Sequence, residues 1–166
     1  MPYTRPTTDR AKEGLFNVLG NMIDFEGLHA LDLFGGTGCI SYELCSRGAG
    51  QVVVIEKDQR MHDFIQRTSA ALGISVMNVL RTDVFRYLQG CRERFDFVFA
   101  GPPYALASID ELPDAVIGPG LLGTGGVFVL EHTPRNAYAG HPHFHSERRY
   151  GTTVFSFFTA EPRPHQ

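Results

Sequence analysis

Four short stretches of this chain hold residues fit for ligand chemistry. Asp32 is followed by Gly35, Gly36, Thr37 and Gly38, a glycine-rich turn that lets backbone approach a ligand closely. Glu56 stands 24 residues further on and opens Glu56-Lys57-Asp58; a carboxylate so placed can accept both hydroxyls of a ribose. Thr82-Asp83 offers an acceptor for an adenine amine or a cap for the next helix, and one side chain can serve both. Gly101-Pro102-Pro103-Tyr104 is a rigid, extended turn with few free N–H groups, so its carbonyls and its aromatic ring suit a planar amine. Each stretch alone has a plainer reading as turn punctuation or a helix start. Their order favours a nucleoside, with the ribose at Glu56, the base at Asp83 and the reactive group between Asp32 and Tyr104. A dinucleotide fits less well, because Ser41 stands where Gly-x-Gly-x-x-Gly needs its last glycine.

The elements that must position these residues alternate. Thr8 or Asp9 caps a first helix with Leu15, Phe16, Val18 and Leu19 on its apolar face. His29–Phe34 reads as a buried strand, and a helix follows near Cys39–Ser46, stopped at Arg47-Gly48. Then come strand 51–55, helix 58–72, strand 75–80, helix 84–91, strand 95–100, helix 109–117 and strand 127–132. Glycines 118–126 are read as turns, and segments 144–150 and 153–159 flank Gly151-Thr152 as a hairpin. Five strands separated by helices predict a mostly parallel sheet with helices on both faces, closed by an antiparallel hairpin, about seven strands in all. Ligands of such sheets lie beyond the carboxyl ends of the strands, which is where the four stretches fall.

Length and composition agree. The 166 residues predict a single domain, 1–166. Hydrophobic residues make up 43% of the chain, too many for disorder, and no apolar run reaches the roughly 18 residues of a membrane span. The opening Met1-Pro2-Tyr3-Thr4 lacks a secretory apolar region, and the odd count of Cys39, Cys45 and Cys91 fits a reduced compartment, so the expectation is a cytoplasmic protein without membrane contact. Net charge is −3, so any nucleic-acid contact must come from a local patch, for which Arg5, Arg10, Arg47, Arg148 and Arg149 are candidates. His141, His143 and His145 alternate, but no neighbouring Cys or acid completes a metal site, and none is expected.

These motifs resemble, over nearly the whole chain, the class I S-adenosylmethionine-dependent methyltransferases. More narrowly they resemble the bacterial RsmD family, which methylates the exocyclic N2 of a guanine in small-subunit ribosomal RNA. The resemblance is carried by Arg5-Pro6-Thr7-Thr8-Asp9-Arg10, Lys12-Glu13, Leu15-Phe16-Asn17, Asp32 to Gly38, Glu43, Ser46-Arg47-Gly48-Ala49, Glu56-Lys57-Asp58, Asp83, Phe95 to Tyr104 and Tyr150-Gly151-Thr152. It implies a Rossmann-like fold and S-adenosylmethionine as cofactor. Asp32, Phe34, Gly36, Thr37 and Gly38 would surround the methionine moiety, with Glu56 and Lys57 at the ribose and Asp83 and Val84 at the adenine. Gly101, Pro102, Pro103 and Tyr104 would form the catalytic turn, Tyr104 stacking on the target base. Arg5 and Arg10 would meet the substrate, and the partner would be ribosomal RNA or the small ribosomal subunit.

Two departures qualify the resemblance. The family pattern at the fourth strand is Asp-Pro-Pro-Tyr/Phe, and here Gly101 takes the place of the aspartate that grips the amine. Members also carry a basic β-hairpin ahead of the Arg-Pro-Thr segment, whereas Met1 stands just before it here. A weakened enzyme, a cofactor-binding protein without transfer activity, and a methyltransferase for a protein or small-molecule amine remain open at this stage.

Overall fold

A computed structural model describes residues 7–164 of the chain. Its centre is a seven-stranded sheet in the order β3-β2-β1-β4-β5-β7-β6. The strands are β1 (His29–Leu33), β2 (Gln51–Ile55), β3 (Met77–Leu80), β4 (Phe95–Ala100), β5 (Leu122–His132), β6 (Phe144–Tyr150) and β7 (Thr153–Thr159). The first five run parallel; β7 is antiparallel to both β5 and β6, between which it lies. Strand order reverses between β1 and β4, so the loops after these two strands diverge and leave a crevice.

The helices are α1 (Asp9–Leu19), α2 (Cys39–Ser46), α3 (Gln59–Ala71), α4 (Val84–Gly90) and α5 (Leu112–Ile117). α1, α2 and α3 cover one face of the sheet through Leu15, Phe16, Leu44 and Ile65, packed on Phe97, Phe99, Val129 and Phe155. α4 and α5 cover the other through Leu88, Leu112 and Val116, against Leu31, Val98, Phe128 and Phe158. The hairpin explains its own order. β7 (Thr-Val-Phe-Ser-Phe-Phe-Thr) is apolar on both faces and is paired on both edges. β6 carries Glu147, Arg148 and Arg149, which suit an edge that must not recruit another strand.

Boundaries move in three places. β3 begins at Met77, two residues later than the sequence suggests. The helix expected over 109–117 opens as a single 3₁₀ turn, Ile109–Glu111, before α5. Segment 123–126 is not a simple turn, because β5 already starts at Leu122. Phe95 pairs with Leu122 and Phe97 with Val127, so the glycines form a bulge inside a continuing ladder.

The glycine-rich turn is pressed against its neighbours. A Cβ on Gly35 would stand 2.5 Å from Val54 Cγ1 and 3.2 Å from Ile65 Cδ1. Both partners are buried, and Val54 is stiff at χ1, so neither yields cheaply. Gly35→Ala is expected to destabilise the protein by about 1–3 kcal/mol in urea unfolding. Combining it with Val54→Ala should cost less than the two single losses added together; strict additivity would show that the contact is not what excludes a side chain.

Candidate functional site

The carboxyl ends of β1, β2, β4 and β5 open onto one cavity of about 670 Å³. Asp32 is buried next to the last residue of β1, the equally buried Leu33. Phe34 follows with φ of 62°, an uncommon conformation for a bulky residue. Such strain, about 1–3 kcal/mol, concentrates at ligand loops. The turn then passes through Gly36 and Gly38, and Gly38 in the left-handed region opens α2. The Tyr42 ring lies so close beneath it that a Cβ there would meet the ring at 2.6 Å.

Glu56 fastens this turn to β2. Its Oε1 accepts the Gly36 N–H at 2.9 Å and its Oε2 accepts the Asp58 N–H at 2.9 Å. An ionised carboxylate has about four acceptor positions, so room remains for two ribose hydroxyls. Asp83 caps α4 by accepting the Arg86 N–H at 3.1 Å and also lines the cavity. Apolar walls come from Ile55, Met61, Val84 and Phe85.

Asp32 dominates the electrostatics. Burial pushes its carboxyl up to about 7, against a hydrogen bond from Ser41 Oγ at 2.6 Å that favours ionisation; nearby Glu56 adds to the rise. Among the described residues no cation pairs with Asp32. A positively charged ligand would relieve this condition. The donor set therefore fits S-adenosylmethionine: acids for its cationic and hydroxyl-bearing parts, apolar walls for its base.

The residues predicted for this site are largely brought together. Asp32, Phe34, Gly36, Thr37, Glu56, Lys57, Asp83, Val84, Gly101 and Pro103 all line the cavity. Gly38 and Pro102 stand behind it, both buried. Tyr104 is half-buried and its hydroxyl donates to Glu131 Oε2 at 3.0 Å. Arg10 is exposed on α1, its guanidinium 6.0 Å from the centre of the Tyr150 ring. Arg5 lies outside the described residues.

The proposed arginine patch is partly spent on internal contacts. Arg47 pairs with Glu43 at 2.9 Å and lies over Phe16 and Phe25, and Arg149 pairs with Glu147 at 3.0 Å. The histidine run also differs from expectation: an acid does reach it, since His141 Nε2 meets Asp114 Oδ1 at 2.8 Å. Among the described residues, even so, no group of three ligating side chains forms.

Two residues of the cavity wall, Glu131 and Thr7, were not among the site residues expected from the sequence, although Thr7 lies in a segment that carries the family resemblance. Glu131, buried near the end of β5, lines the cavity, and Thr7 Oγ1 donates to its Oε1 at 2.8 Å. Burial raises its carboxyl above the usual range, while the hydroxyls of Thr7 and Tyr104 pull the other way. The signal was present: an acid directly after Val127–Leu130, at the fifth of the parallel strand ends.

Comparison with known proteins places this geometry. The model of a family described as "Conserved hypothetical protein 95" matches residues 1–159. YlbH of Bacillus subtilis (strain 168) is 32% identical over 133 residues, 78% of this chain and 71% of its own length. Ribosomal RNA small subunit methyltransferase D of Escherichia coli (strain K12) is 26% identical over 163 residues, 96% of this chain and 81% of its own. The solved structure of yhhF from Escherichia coli superimposes with a TM-score of 0.84 at 25% identity, covering 98% of this chain and 90% of that one.

The buried acid carries a pH signature. Unfolded, Asp32 ionises near 3.8; folded, near 7. Between those values the unfolded chain binds fewer protons, so stability falls as pH rises through the window. The loss is absent below about pH 4 and complete above about pH 7. Asp32→Asn keeps an acceptor for Ser41 and removes the titration. Its melting temperature should therefore exceed the parent's by a margin that widens from pH 5 to pH 8; a constant margin would contradict the assignment.

Proposed function

The chain belongs to the Conserved hypothetical protein 95 family, and on that premise we propose that it is an S-adenosylmethionine-dependent RNA methyltransferase. The proposed acceptor is the exocyclic N2 of a guanine in small-subunit ribosomal RNA. The observation that carries the reading is the convergence of Asp32, Glu56 and Asp83, from three successive parallel strand ends, on one cavity that continues to Gly101 and Pro103. A relative named for small-subunit ribosomal RNA methylation aligns along 96% of the chain, which supports the substrate class.

When bound, S-adenosylmethionine supplies a methyl group on a cationic sulfur, already activated for transfer. The protein's work is placement. Asp32 and the turn through Gly36 and Thr37 hold the charged methionine end. Glu56 takes the ribose hydroxyls while its bond to Gly36 fixes the turn. Asp83 accepts from the adenine amine, with Val84 against the ring. Pro102 and Pro103 make the wall beside the reacting nitrogen rigid, which favours in-line geometry at near-attack distance. A guanine stacked in RNA must swing out to reach this depth, at a cost of a few kcal/mol, and the Tyr104 ring offers it a new stacking partner. Arg10, exposed on α1, is assigned to the phosphate backbone of the substrate.

Titration calorimetry and transfer of tritiated methyl to unmethylated small subunits test this together. The parent should bind S-adenosylmethionine and label the 16S RNA. Glu56→Gln, which keeps an acceptor for Gly36, should weaken cofactor binding by about 10–100-fold, the worth of a hydrogen bond to a charged group. Cofactor binding without label in any subunit preparation would instead favour a binding module, and label in protein alone would move the substrate elsewhere.

A further inference from the structure

Gly101 leaves the end of β4 without a side chain at the place where the target amine must be held, yet a carboxylate stands there. Ala100 pairs with Leu130, so the parallel register sets Gly101 beside Glu131. Side chains alternate along a strand, and Phe97, Phe99, Val127 and Val129 lie in the same core cluster; positions 101 and 131 continue that face. A Cβ built on Gly101 would lie 3.7 Å from Glu131 Oε1 and 3.0 Å from the Phe99 ring. Glu131 and Gly101 line the same cavity, together with Asp32 and Pro103.

We propose that Glu131 is the catalytic acceptor for the target amine, delivering from β5 the carboxylate that Gly101 cannot provide from β4. The proposal rests on the amine-methylation reading above and adds the residue that performs it. Thr7 and Tyr104 hold the two oxygens at 2.8 and 3.0 Å and so fix the direction of the carboxylate. Two acceptor positions remain for N–H groups of the amine. These turn the nitrogen lone pair toward the methyl carbon and stabilise the positive charge that develops. The nitrogen lone pair forms the new bond to carbon while the carbon–sulfur bond breaks, its electron pair staying on sulfur to leave the neutral thioether. The nitrogen then carries a surplus proton, which passes to Glu131 and on to water. Thr7 and Tyr104 are positioning residues in this scheme.

Two measurements test it. The first needs no RNA. Sinefungin carries a primary ammonium where S-adenosylmethionine carries its transferable methyl, so it sets a cation beside Glu131. The parent should bind it more tightly than S-adenosylhomocysteine in calorimetry. Glu131→Gln should erase that preference, a change of about 10–100-fold, with S-adenosylhomocysteine affinity and melting curve close to the parent's. An unchanged ratio of affinities overturns the proposal. So does failure of the parent to bind either ligand, which also removes the cofactor reading itself. The second uses unmethylated small subunits. Glu131→Gln should lower kcat by about 10²–10³ with a small change in KM, and Gly101→Asp in the Glu131→Gln background should recover at least about tenfold of it. Gly101→Asp alone should not exceed the parent. Parental kcat in Glu131→Gln would reject the role, whereas sinefungin discrimination with no RNA labelling by the parent would retain Glu131 and discard only the RNA substrate.

Discussion

Two carboxylates buried at one end of the sheet, neither paired with a cation among the described residues, set the terms for the rest of the structure. A buried carboxylate is costly unless it is hydrogen-bonded, neutralised or matched by an opposite charge. Among the described residues, Asp32 and Glu131 receive only hydroxyl donors, from Ser41 on one side and Thr7 and Tyr104 on the other. Such a site is poised for a cation that arrives with the ligand. Sequestration is what makes the acids useful, because the same low dielectric strengthens their grip on a sulfonium, an ammonium or a nitrogen gaining charge.

The surrounding fold keeps those acids fixed at little further cost. Parallel strands deliver side chains to one edge in a register that backbone pairing alone decides. Glu56 ties the glycine turn to β2, and Gly35 is packed too tightly against Val54 to let that turn drift. On the far side of the crevice, the start of α1 is bound to the site through Thr7, while Thr8 caps the helix by accepting from the Ala11 N–H at 3.2 Å. α1 is seated in turn by the Tyr150 ring, which fills the space a side chain on Gly14 would need. Lys12 meets Glu43 at 3.6 Å across α1 and α2. Segments that resemble the methyltransferase family outside its cofactor motifs thus hold the Thr7 side of the pocket in place.

Much of this was legible from local chemistry. The β-branched and aromatic runs mark β2, β4 and β7 because a strand buried on both faces needs mostly apolar side chains. Turns are marked where glycine or proline is required, and Asp83 declared itself as the cap of α4. Asp32, Glu56 and the Pro-Pro turn could be placed beside one another because β-α-β connections return each strand to the same edge. The bulge at Gly123–Gly126 was misread for an equally physical reason: glycines that end one strand and glycines that kink a continuing one look alike until the partner's register is known.

The sequence by itself determined the alternating architecture and the place of Asp32, Glu56 and Asp83 at successive strand ends, since each follows from a residue and its near neighbours; that a carboxylate is missing at position 101 follows from the family resemblance alone. Only the tertiary structure decided what stands in that gap. Glu131 lies 30 positions beyond Gly101, and nothing local relates the two; their meeting depends on β5 pairing with β4 in one register, because a slip of a single residue would turn Glu131 to the opposite face. The raised ionisation of Asp32 was likewise beyond the sequence, for it comes from desolvation, which depends on everything packed around the group.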